Sequence, residues 1–94
     1  MRIVWDEPKR QKTLVERRLD FASLTLGFFE AAIIEPARDG RFKATGILDE
    51  VGFAVIFQPL GTEAISVISM RPANKKERAR YEQNQNAKGQ RGAD

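Results

Sequence analysis

The sequence predicts an α+β domain: an antiparallel sheet of three to four strands, preceded by two helices and followed by one, with the helices packed on one face of the sheet. Three observations carry this reading. Helix-capping residues and apolar spacings of three and four mark residues 6–29. From residue 41 to residue 71 the pattern changes to strand-length runs separated by tight turn signals. A second capping signature then follows Pro72.

Arg2, Ile3, Val4 and Trp5 read as a short strand with Ile3 and Trp5 facing one way. Asp6 caps a helix from Glu7 to Arg18, and Pro8 in its first turn lacks only an N–H that would have had no partner there. The apolar content of this helix is thin, mainly Leu14 and Val15, so its surface faces water or a charged partner. Asp20 caps a second helix, Leu19 and Leu24 have the spacing of a hydrophobic staple, and Phe21, Leu24, Phe28 and Phe29 fall on one core-facing stripe. Ala31–Glu35 reads as a strand stopped by Pro36, followed by the turn signal Asp39-Gly40.

From there the period is two. Arg41–Leu48 puts Arg41, Lys43 and Thr45 on one face and Phe42, Ala44 and Leu48 on the other. Asp49-Glu50 reverses the chain, and Val51–Phe57 is apolar on both faces, as expected for a central strand covered on both sides. Gln58-Pro59-Leu60-Gly61 reads as a loop and Glu63–Arg71 as the last strand; connections this short make neighbours antiparallel. Asn74 with Glu77 three residues on starts a helix of about Lys75–Gln83. The domain therefore spans residues 1–83, and residues 84–94, polar and without an apolar face, are expected to be a disordered tail.

Composition narrows the function. The 94 residues contain no cysteine and no histidine. Thiolate or imidazole metal sites are thus absent from expectation, as is a serine–histidine hydrolase, and no metal or cofactor is expected. No stretch approaches a membrane span, and the first residues lack the apolar core of a signal peptide, so a cytoplasmic protein is expected. Net charge is +3, with residues 1–20 at +2, residues 21–73 at −2 and residues 74–94 at +3. Basic ends on a small domain suit a polyanion.

Several stretches together resemble BrnT-type toxins: Trp5-Asp6-x-x-Lys9, the Asp20-Phe21 helix start, Arg41-Phe42 leading to Gly46, Ile68-Ser69-x-Arg71-x-Ala73, and Glu77-Arg78-x-x-Tyr81-Glu82. The resemblance covers about residues 1–82. It departs from the family pattern at Thr13-Leu14-Val15-Glu16-Arg17-Arg18, where the family usually reads Asn-Leu-x-Lys-His-Gly, at Phe57-Gln58-Pro59-Leu60, and at Ser66. The resemblance implies a RelE-like fold and a ribonuclease that inhibits translation. It also implies a ribbon-helix-helix antitoxin bound in a hetero-oligomer, through which alone the pair would touch promoter DNA.

RNA can be cut without metal by its own 2′-hydroxyl, given a base, cations for the phosphate and an acid for the leaving oxygen. Arginine suits the second role because its planar fork holds two phosphate oxygens. If their strands show those faces on the same side, Arg41, Lys43 and Arg71 form a cationic shelf, with Arg71 as phosphate clamp, Arg41 as a second clamp and Lys43 as a supporting charge. Ser69 shares the face of Arg71, and Lys75 and Arg78 flank the shelf as RNA contacts. Candidates for the base are Glu63, Tyr81, Glu82 or a lysine. The simpler alternative for Arg71 is pairing with an acid or a helix end. Two other functions fit the residues: a toxin-fold interaction module with catalysis weakened, and a stand-alone nucleic-acid binder, which the lack of exposed aromatics among the strand cations disfavours.

Overall fold

The structure, a computed structural model, describes the backbone of residues 1–92 and the side chains of residues 1–87. Five strands form one sheet in the order β1-β5-β4-β3-β2: β1 Arg2–Trp5, β2 Ile33–Pro36, β3 Phe42–Leu48, β4 Val51–Leu60 and β5 Ala64–Pro72. β2 to β5 make the expected antiparallel meander. β1 instead pairs parallel with β5, Arg2 opposite Ala64 and Trp5 opposite Val67. The sheet is therefore mixed and five-stranded, rather than antiparallel with three or four strands. Short loops dictate antiparallel pairing only between neighbours in sequence; parallel pairing needs a long connection, and the whole chain between β1 and β5 supplies one.

Helix α1, Glu7–Arg17, starts as expected: the Asp6 carboxylate accepts the Lys9 N–H at 3.2 Å. It ends at Arg18, which takes the left-handed conformation (φ 57°, ψ 33°) and returns its N–H to the Leu14 carbonyl. The second predicted helix is broken in two. Asp20 caps only a short 3₁₀ turn, Phe21–Ser23, and the chain extends at Leu24 before Thr25 caps α2, Leu26–Ala31. Side-chain bonds to the backbone compete with helix continuation here. Ser23 Oγ donates to the Asp20 carbonyl at 2.7 Å, and Thr25 Oγ1 accepts the Phe28 N–H at 3.1 Å. The apolar stripe still reaches its destination, with Phe21, Leu24, Phe28 and Phe29 all buried.

Alternation along the strands sorts the sheet into two faces. On one, Ala44, Phe53, Val55, Phe57, Val67 and Met70 form the core with the four residues of the broken helix. Phe29 meets Phe57 edge-on at 5.3 Å between ring centroids, and Phe42 stacks on Phe57 at 5.9 Å. Gly46 lets α2 approach: a Cβ there would stand 2.9 Å from Phe28 Cε2. β4 extends to Leu60 rather than Phe57, and Pro59 is tolerated because β3 has already ended opposite Phe57, leaving β4 an edge strand on that side.

The other face carries Lys43, Thr45, Ala54, Ile56, Ser69 and Arg71, and helix α3, Lys75–Gly92, lies over it. The helices therefore sit on both faces of the sheet, which corrects the one-face expectation. α3 also runs well past Gln83. Arg80 pairs with Glu35 of β2, and Gln85 donates to the Ala31 carbonyl at 3.3 Å, so polar anchors hold a helix that has no apolar stripe. Residues 93 and 94 of the expected tail lie outside the described residues. No helix among the described residues is long and apolar enough to cross a membrane.

Candidate active site

Strand register brings two candidate cations together. Lys43 lies opposite Ile56, which lies opposite Ser69; Thr45 and Ala54 relate in the same way to Arg71. Lys43, Ser69 and Arg71 thus share the α3-side face, as their alternation predicts. What lies between them is a carboxylate. Glu77 is 3% exposed, and its Oε1 and Oε2 accept from Arg71 Nη1 and Nη2 at 2.7 and 2.9 Å. Lys43 Nζ donates to Oε2 at 2.8 Å.

The same carboxylate closes the capping box of α3. The Asn74 N–H donates to Glu77 Oε1 at 2.9 Å, and the Glu77 N–H donates to Asn74 Oδ1 at 2.8 Å. The Arg71 hydrogen bonds, opposed by burial and reinforced by Lys43 and the Asn74 N–H, hold the Glu77 carboxyl down at about 2. Glu77 in turn raises the affinity of Arg71 for its proton. Arg71 is half-exposed and spends its second Nη1 hydrogen on the Pro72 carbonyl at 3.2 Å. A guanidinium has five N–H donors. Among the described residues no partner takes Nε–H or the second Nη2 hydrogen, which together form the side-on fork that suits a phosphate.

Next to this face, α1 and β5 enclose a cleft of about 220 Å³. Lys9, Lys12, Thr13 and Glu16 line it at helical spacings of three, four and seven, with Arg17, Ile68 and Ser69 completing it. Arg17 Nη1 donates to the Met70 carbonyl at 2.9 Å and ties the end of α1 to β5. At the other end, Arg10 grips Asp20 through Nε and Nη2 at 2.7 and 3.1 Å, which holds the Asp20 carboxyl below its ordinary value. Ser69 belongs to both regions: it lines the cleft and sits two residues before Arg71 on the same face.

The remaining predicted residues are less concentrated. Arg41 is half-buried immediately before β3, on the face of Lys43 by alternation. Lys75 and Arg78 are exposed in the first turns of α3, and Arg78 lays its stem over Gly52. Tyr81 is half-buried one turn beyond Glu77, and Glu82 beside it is exposed. Glu63 stands exposed in the β4–β5 turn, where its carbonyl accepts the Arg2 N–H. Nearly the whole of β5 separates it from Arg71, about 26 Å at the rise of a strand.

Sequence reasoning missed Glu77 as a partner of the shelf, and it missed the cleft residues Lys9, Lys12, Glu16 and Arg17. The signals were present. The capping box identified Glu77, and the thin apolar content of α1 implied a polar face with something to meet.

No curated protein shows a significant match to the chain. The family model described as "Ribonuclease toxin, BrnT, of type II toxin-antitoxin system" matches residues 5–77. The crystal structure of the Brucella abortus ribonuclease toxin BrnT is similar at 47% identity and a TM-score of 0.75, over 80% of this chain and 99% of that one. The chain belongs to the BrnT family, the ribonuclease toxins of type II toxin–antitoxin systems.

Proposed function

We propose that the protein is a metal-independent endoribonuclease that cuts RNA through its own 2′-hydroxyl and so inhibits translation in the cytoplasm. In this reading the fold is RelE-like, and a ribbon-helix-helix antitoxin neutralises the toxin and carries the pair to promoter DNA. The observation that carries the reading is the state of Arg71: anchored end-on by a buried carboxylate, half-exposed, with its side-on donors unspent. Charge grows on the phosphate oxygens as the 2′-oxygen attacks, and a fixed guanidinium stabilises that charge without reorganising.

Arg71 is then the phosphate clamp, Arg41 a second clamp and Lys43 a supporting charge. Lys9, Lys12 and Arg17 hold the strand along the cleft with Ser69, and Lys75 and Arg78 extend the basic surface over α3. Two groups near this surface serve as candidates to take the hydroxyl proton, Glu16 in the cleft and Tyr81 on α3. Glu63 leaves the set because it stands at the far end of β5.

Cleavage of labelled RNA in EDTA tests the reading. Wild type is expected to cut and Arg71→Ala to lose about 100-fold, the size of one lost transition-state contact. A second reading, a toxin-fold module kept for antitoxin binding, is favoured by the partial neutralisation of Lys43 and Arg71 by Glu77. Intact RNA with and without translating ribosomes, beside a salt-resistant antitoxin complex, would establish that module instead.

A further inference from the structure

We propose that Glu77 is a positioning residue for RNA cleavage: its carboxylate fixes the end-on edge of the Arg71 guanidinium so that the Nε and Nη2 donors meet the scissile phosphate as a preset fork. The inference rests on the ribonuclease reading above and names the group that makes Arg71 competent in it.

Three observations carry it. Glu77 is itself immobilised, since the Asn74 N–H and the first turn of α3 hold its carboxylate from the backbone side. Both of its oxygens are spent on the shelf, Oε1 on Arg71 and Oε2 on Arg71 and Lys43. The bond pattern on Arg71 divides the guanidinium into a held edge and an unspent edge, so a phosphate can be met without displacing anything. A free arginine on a half-exposed strand face samples many rotamers, and each one lost to restraint before the reaction is entropy not lost during it.

The opposite reading is that Glu77 occupies the phosphate position and blocks it. Vacating that position would leave a buried carboxylate without two of its cations, a strongly unfavourable state. The trio Lys43, Arg71 and Glu77 also keeps a net charge of +1, which still attracts a phosphate while relieving repulsion between the two cations.

A double-mutant cycle tests the proposal. Wild type, Glu77→Gln, Arg71→Ala and the double variant are compared in cleavage of an RNA oligonucleotide and in binding of its uncleavable 2′-deoxy analogue. Glu77→Gln is expected to lower kcat about 10- to 100-fold, in the range of a misplaced catalytic contact. In the Arg71→Ala background the same change is expected to do nothing further, because Glu77 acts through Arg71. A purely structural role would lower both backgrounds equally. Thr25→Ala, which removes the side-chain cap of α2 on the opposite face of the sheet, is expected to cleave within about 3-fold of wild type, the effect of a lost cap being on stability.

Should Glu77→Gln fail to fold, Glu77→Asp carries the cycle, retaining charge but withdrawing the carboxylate by one methylene. Cleavage by the single variant at the wild-type rate overturns the proposal, as does an additive double variant. Wild type that cuts no RNA defeats the ribonuclease reading instead, and the binding arm of the cycle still decides whether Glu77 acts through Arg71.

Discussion

Arg17 Nη1 and the carbonyl of Met70 meet at 2.9 Å, fifty-three residues apart in sequence. That bond closes the cleft between α1 and β5, since β1 has already ended and α1 lies beside β5 beyond Val67. Arg17→Ala is expected to lower stability by about 1 kcal/mol, the net value of one such hydrogen bond. Denaturant unfolding measures this, and an unchanged midpoint would show that the bond adds nothing net to the other contacts of α1.

The cleft lysines make a prediction about salt. Each phosphate contact with a single strand contributes about 0.7 to the slope of log affinity against log salt. Replacing Lys9 and Lys12 with alanine should therefore reduce that slope by about 1.4 in titrations with an uncleavable RNA. A parallel loss of affinity at every salt concentration would place both lysines outside the RNA track.

Glu77 predicts a pH dependence. Folding lowers its carboxyl from the ordinary 4.5 to about 2, so the unfolded chain holds the proton more tightly than the folded one. Its contribution is fully present above that ordinary value and is lost as pH falls through the folded one. Thermal unfolding should show stability falling steeply between pH 4.5 and about 2 in wild type and more gently in Glu77→Gln. Curves of equal slope would count against the assigned pairing. Glu7, lowered first by the Trp5 indole and then by Gln11 and Arg10, and Asp20, lowered by Arg10 and the Ala22 N–H, add a fall that both proteins share.

Arg18 is the clearest site for stabilisation. It adopts the left-handed conformation with φ 57° at the end of α1, a position that helices commonly give to glycine. Arg18→Gly removes the Cβ strain and is expected to gain about 0.5–1 kcal/mol, a rise of several degrees in melting temperature. A fall in melting temperature would mean that the arginine side chain contributes more than its backbone costs.

The meander was legible because its signals are local. Alternation from Phe42 to Leu48, the Asp49-Glu50 reversal and the stop at Pro72 each act over a few residues, and the structure follows them closely. The phenylalanine stripe was legible as core, although its helix was not legible as broken, because Ser23 and Thr25 compete for the backbone with bonds that no periodicity reveals. The parallel pairing of β1 with β5 has no local signature at all. At the site, alternation placed Lys43 and Arg71 on one face correctly. The carboxylate between them was read as a helix cap, which it is, while its second partnership depends on how α3 folds back over the sheet.

The edge position of β1 also sets the order in which this molecule can be made. Its first strand finds its hydrogen-bonding partner only in its last, so Ile3 and Trp5 have no strand to join until residues 64–67 have left the ribosome. Such a non-local closure is intrinsically slow. A nascent chain stopped anywhere before β5 lacks Arg71 and the wall of the cleft together. In the proposed role, a toxin synthesised from one end cannot become harmful until almost all of it exists, which gives a co-produced antitoxin time to be waiting.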